Sequence, residues 1–331
     1  MAKKGLDPRN VRFFCGNSNQ ALAAKMAEYL KVPLESTRIK RFSNDDLDIQ
    51  LGASVRGRKV YIVQSLSQPV NDHLMELLMM LDIARSASAS EVHAIIPYYS
   101  FARSDKKDAP RISITARLVA DLLQTAGATH VMTMMLHSPQ VHGFFGVPAD
   151  PLSSRPVLEA EFRTSMSDAD RAETIIVTPD MGHVKSAIRF ANHLGLKVAA
   201  GNKQRLSDVK VRINGLVGTP VAGYRRALVY DDEVATGGSV VELSEVLIRE
   251  GIEEIWVACT HGVFVRNGLQ RLADVPQITR IVTTDTVYIP EEQQHEKLKI
   301  VSVADIFGEA IRRNYLQQSI GDLFIYAEDG S

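Results

Sequence analysis

The stretch of the chain best suited to chemistry is Ala227–Val241, ALVYDDEVATGGSVV, which runs from an apolar strand through two acids into a glycine-rich turn and a helix. A helix N-terminus favours an anion because its N–H groups are unpaired and its dipole is positive there. The glycines allow close approach to the backbone. The pattern predicts a phosphate site whose donors are the backbone N–H groups of Thr236, Gly237, Gly238 and Ser239.

Two acids complete this pattern. Asp231 and Asp232 come at the C-terminal end of the predicted strand, where carboxylates accept from sugar hydroxyls or hold a hydrated Mg²⁺. Together with the phosphate site they favour a phosphorylated sugar as the ligand. An ordinary strand-to-helix turn with solvated acids is the alternative, since the stretch is neither a P-loop nor a GxGxxG motif.

The chain resembles the ribose-phosphate diphosphokinases, or PRPP synthetases, of the type I phosphoribosyltransferase superfamily. Ala227–Val241 is similar to the phosphoribosyl-pyrophosphate motif of that superfamily. The resemblance covers nearly the whole chain in the right order. Its other segments are Phe42–Asp46 (FSNDD), Ser54–Asn71, Pro97–Lys107 (PYYSFARSDKK), Leu136–Asp150 (LHSPQVHGFFGVPAD), Ala310–Arg313 and Ser319–Ile320.

This resemblance implies a fold and a reaction. The fold is α/β, with two tandem phosphoribosyltransferase-like domains at 1–153 and 154–331, each a mainly parallel sheet flanked by helices. The reaction is transfer of the β,γ-diphosphoryl group of ATP to the 1-hydroxyl of ribose 5-phosphate, giving 5-phosphoribosyl 1-diphosphate and AMP. Such a transfer depends on positioning and charge neutralisation. We expect ATP and ribose 5-phosphate as substrates and Mg²⁺ as cofactor.

The resemblance also implies the site residues. Lys203 and Arg205 match the basic pair that begins the family's mobile loop, and Leu206–Thr219 would form its lid. His137 and Asp180 are the expected metal ligands on the ATP side and the sugar side, although histidine is unusual for Mg²⁺. The expected ATP site is Phe42, Asn44, Asp46, Arg103, Ser104 and His137, with Phe42 and Asp46 from a neighbouring subunit. The expected ribose 5-phosphate site is Asp231, Asp232, Ala235, Thr236, Gly237, Gly238 and Ser239.

Several positions depart from the family pattern. Met135 stands where an acid usually precedes Leu-His, and Gly146 where an acid usually follows Phe-Phe, so two oxygen ligands of a cation-binding region are missing. Ala235 replaces an acid before Thr-Gly-Gly, Glu233 occupies a hydrophobic position, and Ser104 replaces a frequent Gln. Met135 and Gly146 imply altered metal dependence, lost allosteric control or a different acceptor.

Composition agrees with this interpretation. The chain has 331 residues, 45% of them hydrophobic, which suits two domains. Its net charge of −1 offers no broad basic surface for nucleic acid. Cys15 and Cys259 lie in apolar runs, as reduced core thiols of a cytoplasmic protein do. No apolar segment reaches the roughly 18 to 20 residues that span a membrane. The family resemblance implies a homo-oligomer, either a dimer or a hexamer.

Short β-rich runs alternate with helical patterns, which predicts parallel sheets with helices on both faces. Asp150–Pro156 is the predicted domain boundary, because two prolines and two serines interrupt the pattern there. The predicted strands are Val11–Cys15, Lys59–Gln64, His93–Pro97, His130–Met134, Thr174–Thr178, Lys197–Ala200, Ala227–Tyr230, Glu254–Cys259 and Arg280–Thr284. The predicted helices are Asn71–Arg85, Thr115–Thr125, His183–His193, Ser239–Glu250 and Val303–Gln317.

Two functional classes remain open at this point. One is a working ribose-phosphate diphosphokinase. The other is an atypical relative: a non-catalytic regulatory subunit, or a diphosphokinase for a larger 5-phosphoribosyl acceptor such as ADP-ribose. Retention of Lys203 and Arg205 argues against a non-catalytic subunit, which has no need of catalytic-loop cations. A base-transferring phosphoribosyltransferase is a third and weaker alternative, because such an enzyme does not need the segments at Phe42 and Arg103 that resemble an ATP site.

Overall fold

The computed structural model of the protein describes residues 6–205 and 211–324, with the backbone alone at 203–205, 211, 212 and 214. Its strands are β1 (Val11–Cys15), β2 (Thr37–Arg41), β3 (Leu47–Leu51), β4 (Lys59–Val63), β5 (Glu91–Ile96), β6 (His130–Met134), β7 (Ala149–Leu152), β8 (Thr174–Thr178), β9 (Lys197–Arg205), β10 (Val211–Gly218), β11 (Arg226–Val234), β12 (Glu254–Gly262), β13 (Ile278–Thr284) and β14 (Leu298–Val301). Its α-helices are α1 (Gln20–Leu30), α2 (Val70–Ser86), α3 (Thr115–Ala126), α4 (Arg155–Ser165), α5 (Asp168–Ala172), α6 (Val184–Leu194), α7 (Gly238–Arg249), α8 (Gly268–Ala273) and α9 (Ala304–Tyr315).

The first of two compact units is built on a parallel five-stranded sheet of order β1-β4-β5-β6-β7. Successive residues of a strand face opposite sides of the sheet. In β4, Ile62 joins the core formed with α2 and α3, while the Tyr61 hydroxyl donates to Asn314 of α9 at 3.1 Å. Helices therefore cover both faces. Pro151 is tolerated in β7 because that strand lies at the sheet edge.

The second unit has a seven-stranded sheet of order β10-β9-β8-β11-β12-β13-β14, parallel except for the antiparallel pair β9 and β10. Helices α7 and α8 pack on one face, and α4 and α6 on the other. From β8 the strands are added outward through β9 to β10 on one side of the sheet. From β11, the neighbour of β8, they are added outward through β12 and β13 to β14 on the other side. Such a reversal opens a crevice at the C-terminal ends of β8 and β11, where ligands bind in open α/β sheets.

The compact units differ from the predicted domains 1–153 and 154–331 at one end. The break after Ser154 falls within the predicted boundary Asp150–Pro156, but α9 groups with the first unit. Helix α9 packs against α1, where the Tyr29 hydroxyl donates to Glu309 at 2.8 Å and Gly308 makes room for the Tyr29 ring. Because the two helices are far apart in the sequence, no local pattern reveals their contact.

All the strands and helices predicted from the sequence are present, with ends shifted by a few residues. The largest difference is β9, which continues from the predicted Lys197–Ala200 to Arg205. Residues 211–218 of the predicted lid form β10, while residues 206–210 lie outside the described part of the chain. Within residues 6–205 and 211–324, no helix has the length and apolar character needed to cross a membrane.

Candidate active site

The crevice of the second unit begins where β11 is no longer paired with β8. β11 pairs with β12 as far as Val234, but its pairing with β8 ends at Val229. Asp231 and Asp232 lie on the part of β11 beyond that point, and Asp180 follows the end of β8. The parallel ends of the two strands thus bring all three predicted acids to the same edge of the sheet.

The predicted phosphate loop follows β11 and leads directly into α7. Gly237 is the N-cap of this helix and has a φ of 75°, in the left-handed region that glycine adopts without strain. A Cβ built on Gly237 would lie 2.9 Å from the carbonyl oxygen of Gly268. A Cβ on Gly238 would meet nothing closer than the Thr236 hydroxyl, at 3.7 Å. Gly237 is therefore required by the fold, whereas a side chain at position 238 would enter open space.

The N-terminus of α7 forms the end of the predicted phosphate loop. Its first N–H groups have no partner four residues earlier, as at any α-helix N-terminus, and its glycine N-cap has no side chain to accept them. Gly238 and Ser239, the first two residues of α7, are half-buried. The backbone therefore presents donors toward a group of negative charge.

His183 lies between the three acids, a role that the sequence reasoning missed. Its Nδ1 is 3.4 Å from Asp180 Oδ1 and 3.6 Å from Asp231 Oδ1, and its Nε2 is 3.2 Å from Asp232 Oδ1. From the sequence we assigned His183 only as the start of a helix. The signal that could have found it is its position three residues after Asp180, between a strand end and a helix start.

Electrostatics at this cluster are strongly perturbed. Burial alone would lower the pKa of His183, but hydrogen bonds to Asp180 and Asp232 and the charges of Asp232 and Asp231 raise it to about 11. Burial and the adjacent Asp232 carboxylate raise the pKa of Asp231 well above its usual range, against the opposing effect of His183. Clusters of this kind occur at functional sites more often than elsewhere.

Lys203 and Arg205 lie near the end of β9, where the backbone alone is described. The parallel pairing of β8 with β9 ends at Thr178 and Ala200, so the last residues of β9 continue beyond the edge of the sheet that carries Asp180. In this extension Lys203 pairs with Ile213 and Arg205 with Val211 of β10. The predicted catalytic cations therefore belong to a two-stranded extension of the second unit.

Three residues of the predicted ATP site, Phe42, Asn44 and Asp46, lie at the tip of the β2–β3 hairpin in the first unit. Phe42 N donates to Asp46 O at 2.8 Å, and Asn44 Oδ1 accepts from Asp46 N at 3.4 Å. Arg41 braces the tip by pairing with Asp45 at 2.7 Å and with Asp72 of α2 at 2.6 Å. The side chain of Phe42 is 53% exposed. An aromatic ring presented on a braced hairpin is well placed to contact a ligand held by another surface.

The other residues predicted to bind ATP also lie in the first unit, in the segments after β5 and β6. Arg103 ends a short helical turn after β5 and Ser104 follows it, while His137 is half-buried in the segment after β6. Gln140 donates to Asp105 at 3.0 Å and so ties these two segments together. Tyr98 and Tyr99, which precede this turn, are buried.

The two positions that lack the family's acids have distinct environments. Met135 has a φ of 41°, an uncommon backbone conformation for a side chain of its kind. Gly146 lies against the amide end of Gln124 in α3, so that a Cβ there would need Gln124 to move. A carboxylate at position 146 would therefore require local adjustment at Gln124.

The fold and site together define an α/β protein with acids and a glycine-rich helix start at the reversal point of a mainly parallel sheet. Family models agree: residues 11–127 match the N-terminal domain of ribose phosphate pyrophosphokinase, and residues 204–325 match the phosphoribosyl synthetase-associated domain. The chain belongs to the ribose-phosphate pyrophosphokinase family. This confirms the family and the enzyme class predicted from the sequence.

Individual relatives match over nearly their whole length. A ribose-phosphate pyrophosphokinase of Deinococcus radiodurans is 44% identical, over 94% of this chain and 97% of its own. One from Caldanaerobacter subterraneus is 40% identical, over 95% and 98%. The crystal structure of phosphoribosylpyrophosphate synthetase from Mycobacterium smegmatis matches with a TM-score of 0.85 and 33% identity, over 93% of this chain and 99% of that one.

Proposed function

We propose that this enzyme transfers the β,γ-diphosphoryl group of ATP to ribose 5-phosphate. The 1-hydroxyl oxygen of the sugar forms a bond to the β-phosphorus of ATP, the bond from that phosphorus to the bridging α,β-oxygen breaks, and AMP leaves. The proton of the hydroxyl is released. The observation that carries this proposal is the glycine-rich start of α7 beside the half-buried Asp231 and the buried Asp232 at the β8/β11 reversal of the second unit.

Ribose 5-phosphate is assigned to this crevice. Its phosphate is bound by the backbone at the start of α7, and its hydroxyls donate to Asp231 and Asp232. The open space beside Gly238 supports this orientation, since the phosphate needs direct access to the backbone. Ala235, Thr236 and Ser239 complete the loop.

Catalysis is assigned to the cations of the β9 extension. Charge accumulates on the bridging oxygen as the bond to AMP breaks, and Lys203 and Arg205 neutralise it. The position of β9 beyond the end of β8, on the edge that carries Asp180, supports this assignment. Phosphoryl transfer requires little covalent participation from the protein, so positioning and charge are the main contributions of the two residues.

Mg²⁺ is the cofactor that the family implies, and the residues present fit it. Asp180, Asp231 and Asp232 offer carboxylate oxygens, the ligands that Mg²⁺ prefers, while the ATP phosphates supply others. We assign Asp180 to the sugar-side ion and His137 to the ATP-side ion. Bound there, Mg²⁺ would neutralise phosphate charge and orient the diphosphate.

ATP is assigned to the first-unit residues Arg103, Ser104 and His137, with the hairpin tip carrying Phe42, Asn44 and Asp46 supplied by a neighbouring subunit. The exposure of Phe42 supports this sharing. Mixing inactive Phe42→Ala protein with inactive Lys203→Ala protein should restore activity if sites are shared between subunits. Mixtures that stay inactive although they exchange subunits would place the whole site in one chain. Sedimentation velocity distinguishes the dimer from the hexamer.

One experiment tests the reaction itself. Purified protein is incubated with ATP, Mg²⁺ and either ribose 5-phosphate, ADP-ribose or unphosphorylated ribose, while AMP release is followed and the product is weighed by mass spectrometry. AMP release with ribose 5-phosphate alone supports the proposal. Release with ADP-ribose alone would assign a larger acceptor, and release with neither would assign a non-catalytic subunit. Ribose is the matched control, since it lacks only the phosphate that α7 is proposed to bind.

A further inference from the structure

His183 connects the two sides of the sugar crevice. It follows β8 on the same short segment as Asp180, yet both nitrogens of its ring reach carboxylates of β11. Its side chain is only 15% exposed, and that of Asp232 only 6%. The largely buried ring therefore contacts acids that follow both strands of the crevice.

The contacts at Asp231 show how the ring orients a carboxylate. Oδ1 of Asp231 accepts from the backbone N–H of Asp232 at 2.9 Å and is also the oxygen nearest to His183. Asp180 Oδ1 likewise accepts from Gly182 N at 2.9 Å and lies beside the same ring nitrogen. The ring and the backbone therefore engage the same oxygen of each acid. At Asp231 the ring and the backbone N–H together fix the orientation of the carboxylate.

We propose that His183 is a positioning residue for the sugar substrate. By hydrogen bonding to Asp180 and Asp232 and pairing with the charge of Asp231, it holds the carboxylates at the spacing in which they accept from the ribose hydroxyls. Without the ring, three neighbouring carboxylates would repel one another and turn apart. This inference rests on the assignment of ribose 5-phosphate to the crevice.

Variants at His183 test the inference through binding as well as turnover. Calorimetric titration with ribose 5-phosphate and steady-state kinetics are compared for the wild type, His183→Ala and His183→Gln. Loss of charge-assisted hydrogen bonds should raise the Kd and KM for ribose 5-phosphate by about 10-fold to 100-fold, with the KM for ATP nearly unchanged. Gln retains a donor and should recover part of the loss.

A matched control exists on the same helix. His193 lies in the last turn of α6, about 15 Å from the start of the helix, and pairs with Glu159 at 2.7 Å. His193→Ala removes a comparable histidine–carboxylate pair outside the crevice and should leave the Kd for ribose 5-phosphate unchanged. An equal loss of affinity in both variants would overturn the positioning role.

Other outcomes separate this inference from the proposed function. If wild-type protein binds ribose 5-phosphate and releases AMP but His183→Ala binds the sugar equally well, the inference fails and the function stands. If the wild type does not bind the sugar, the proposed function fails. Should His183→Ala not fold, His183→Phe keeps a ring of similar shape without donors. Weak sugar binding by folded His183→Phe supports the inference, and wild-type affinity overturns it.

Discussion

Gly268, the first residue of α8, lies directly against the backbone of Ala235 in the phosphate loop. A Cβ on Gly268 would be 2.5 Å from the Ala235 carbonyl oxygen and 3.2 Å from the carbonyl carbon of Thr236, which no real structure tolerates. The loop in turn restricts Gly237, whose own Cβ would meet the Gly268 carbonyl. A helix remote in sequence from the loop therefore fixes the path of the loop.

Gly268→Ala should consequently displace the phosphate loop although it lies outside the proposed contact residues. We expect the Kd for ribose 5-phosphate to rise by about 10-fold or more, since small misplacements of a binding group are costly. Calorimetric titration measures this change. Gly321→Ala is the control, because a Cβ there would meet nothing closer than Ser319 Oγ at 3.7 Å. Equal affinity in both variants would show that the loop tolerates the displacement.

The two glycines of the loop should respond differently to substitution. Gly237→Ala should lower the free energy of unfolding by about 1 to 2 kcal/mol, because a left-handed φ and a close carbonyl both oppose a side chain. Gly238→Val should leave the fold intact, since its Cβ enters open space, but should abolish sugar-phosphate binding by filling that space. Denaturant unfolding and calorimetry test the pair. Unchanged affinity in folded Gly238→Val would place the phosphate elsewhere.

Replacing Lys203 or Arg205 by Ala should lower kcat by on the order of 10² or more, with a much smaller change in ATP affinity. The reason is that both cations are proposed to act on charge that develops in the transition state. Steady-state kinetics with saturating ribose 5-phosphate gives both constants. Near-wild-type turnover in the two variants would remove the β9 extension from the mechanism.

Restoring the family's acids should change the metal requirement. Met135→Asp together with Gly146→Asp should lower the Mg²⁺ concentration for half-maximal rate, whereas His137→Ala should raise it or abolish turnover. The backbone favours the first substitution, because Asp tolerates a φ of 41° better than Met does. Gln124→Ala should be added to make room at Gly146 and, by itself, serves as the control. If neither the acids nor His137 affect the Mg²⁺ dependence, the ATP-side ion lies elsewhere.

Acid should weaken the first unit through His93. Burial foremost, then the charges of His130 and Lys59, lower the pKa of His93 to about 3 in the folded protein, while the unfolded value is near 6.5. Below pH 6.5 the unfolded state binds the additional proton, so stability falls by up to about 1.4 kcal/mol per pH unit. Above pH 6.5 this contribution is constant.

Thermal unfolding between pH 7.5 and pH 5 measures this loss. His93→Phe cannot titrate but keeps an aromatic ring against Tyr61, whose ring centroid is 4.3 Å away. Its Tm should fall less steeply with acid than that of the wild type, whatever its value at pH 7.5. Parallel pH profiles in the two proteins would show that His93 does not control acid stability.

The buried strands were predictable because parallel strands covered on both faces are continuous apolar runs, as in Thr174–Thr178. The β2–β3 hairpin was missed for the opposite reason. TRIKR is largely exposed and LDIQL is mostly half-buried, so neither strand is the continuous apolar run that identified the others. Strand β10 was missed because it is recognised by its antiparallel pairing with β9, which its own residues do not indicate.

Some features of the site could be predicted from residues that are close in sequence, whereas others depend on contacts between distant parts of the chain. Asp231, Gly237 and Gly238 lie within eight residues of one another in the sequence, so their types and order indicated a phosphate loop. The contact of Gly268 with Ala235 depends on how α8 packs, and the position of His183 depends on β8 lying next to β11. Such contacts between distant parts of the chain carry no local pattern.

The packing of α9 against α1 has a consequence for synthesis. A ribosome completes all of β8 to β14 before it makes the helix that covers one face of the first sheet. The N-terminal part of the nascent chain must therefore wait, with the Tyr61 side of its sheet lacking α9, until that helix has left the exit tunnel. The part of the chain translated first is thus completed only when α9 is added.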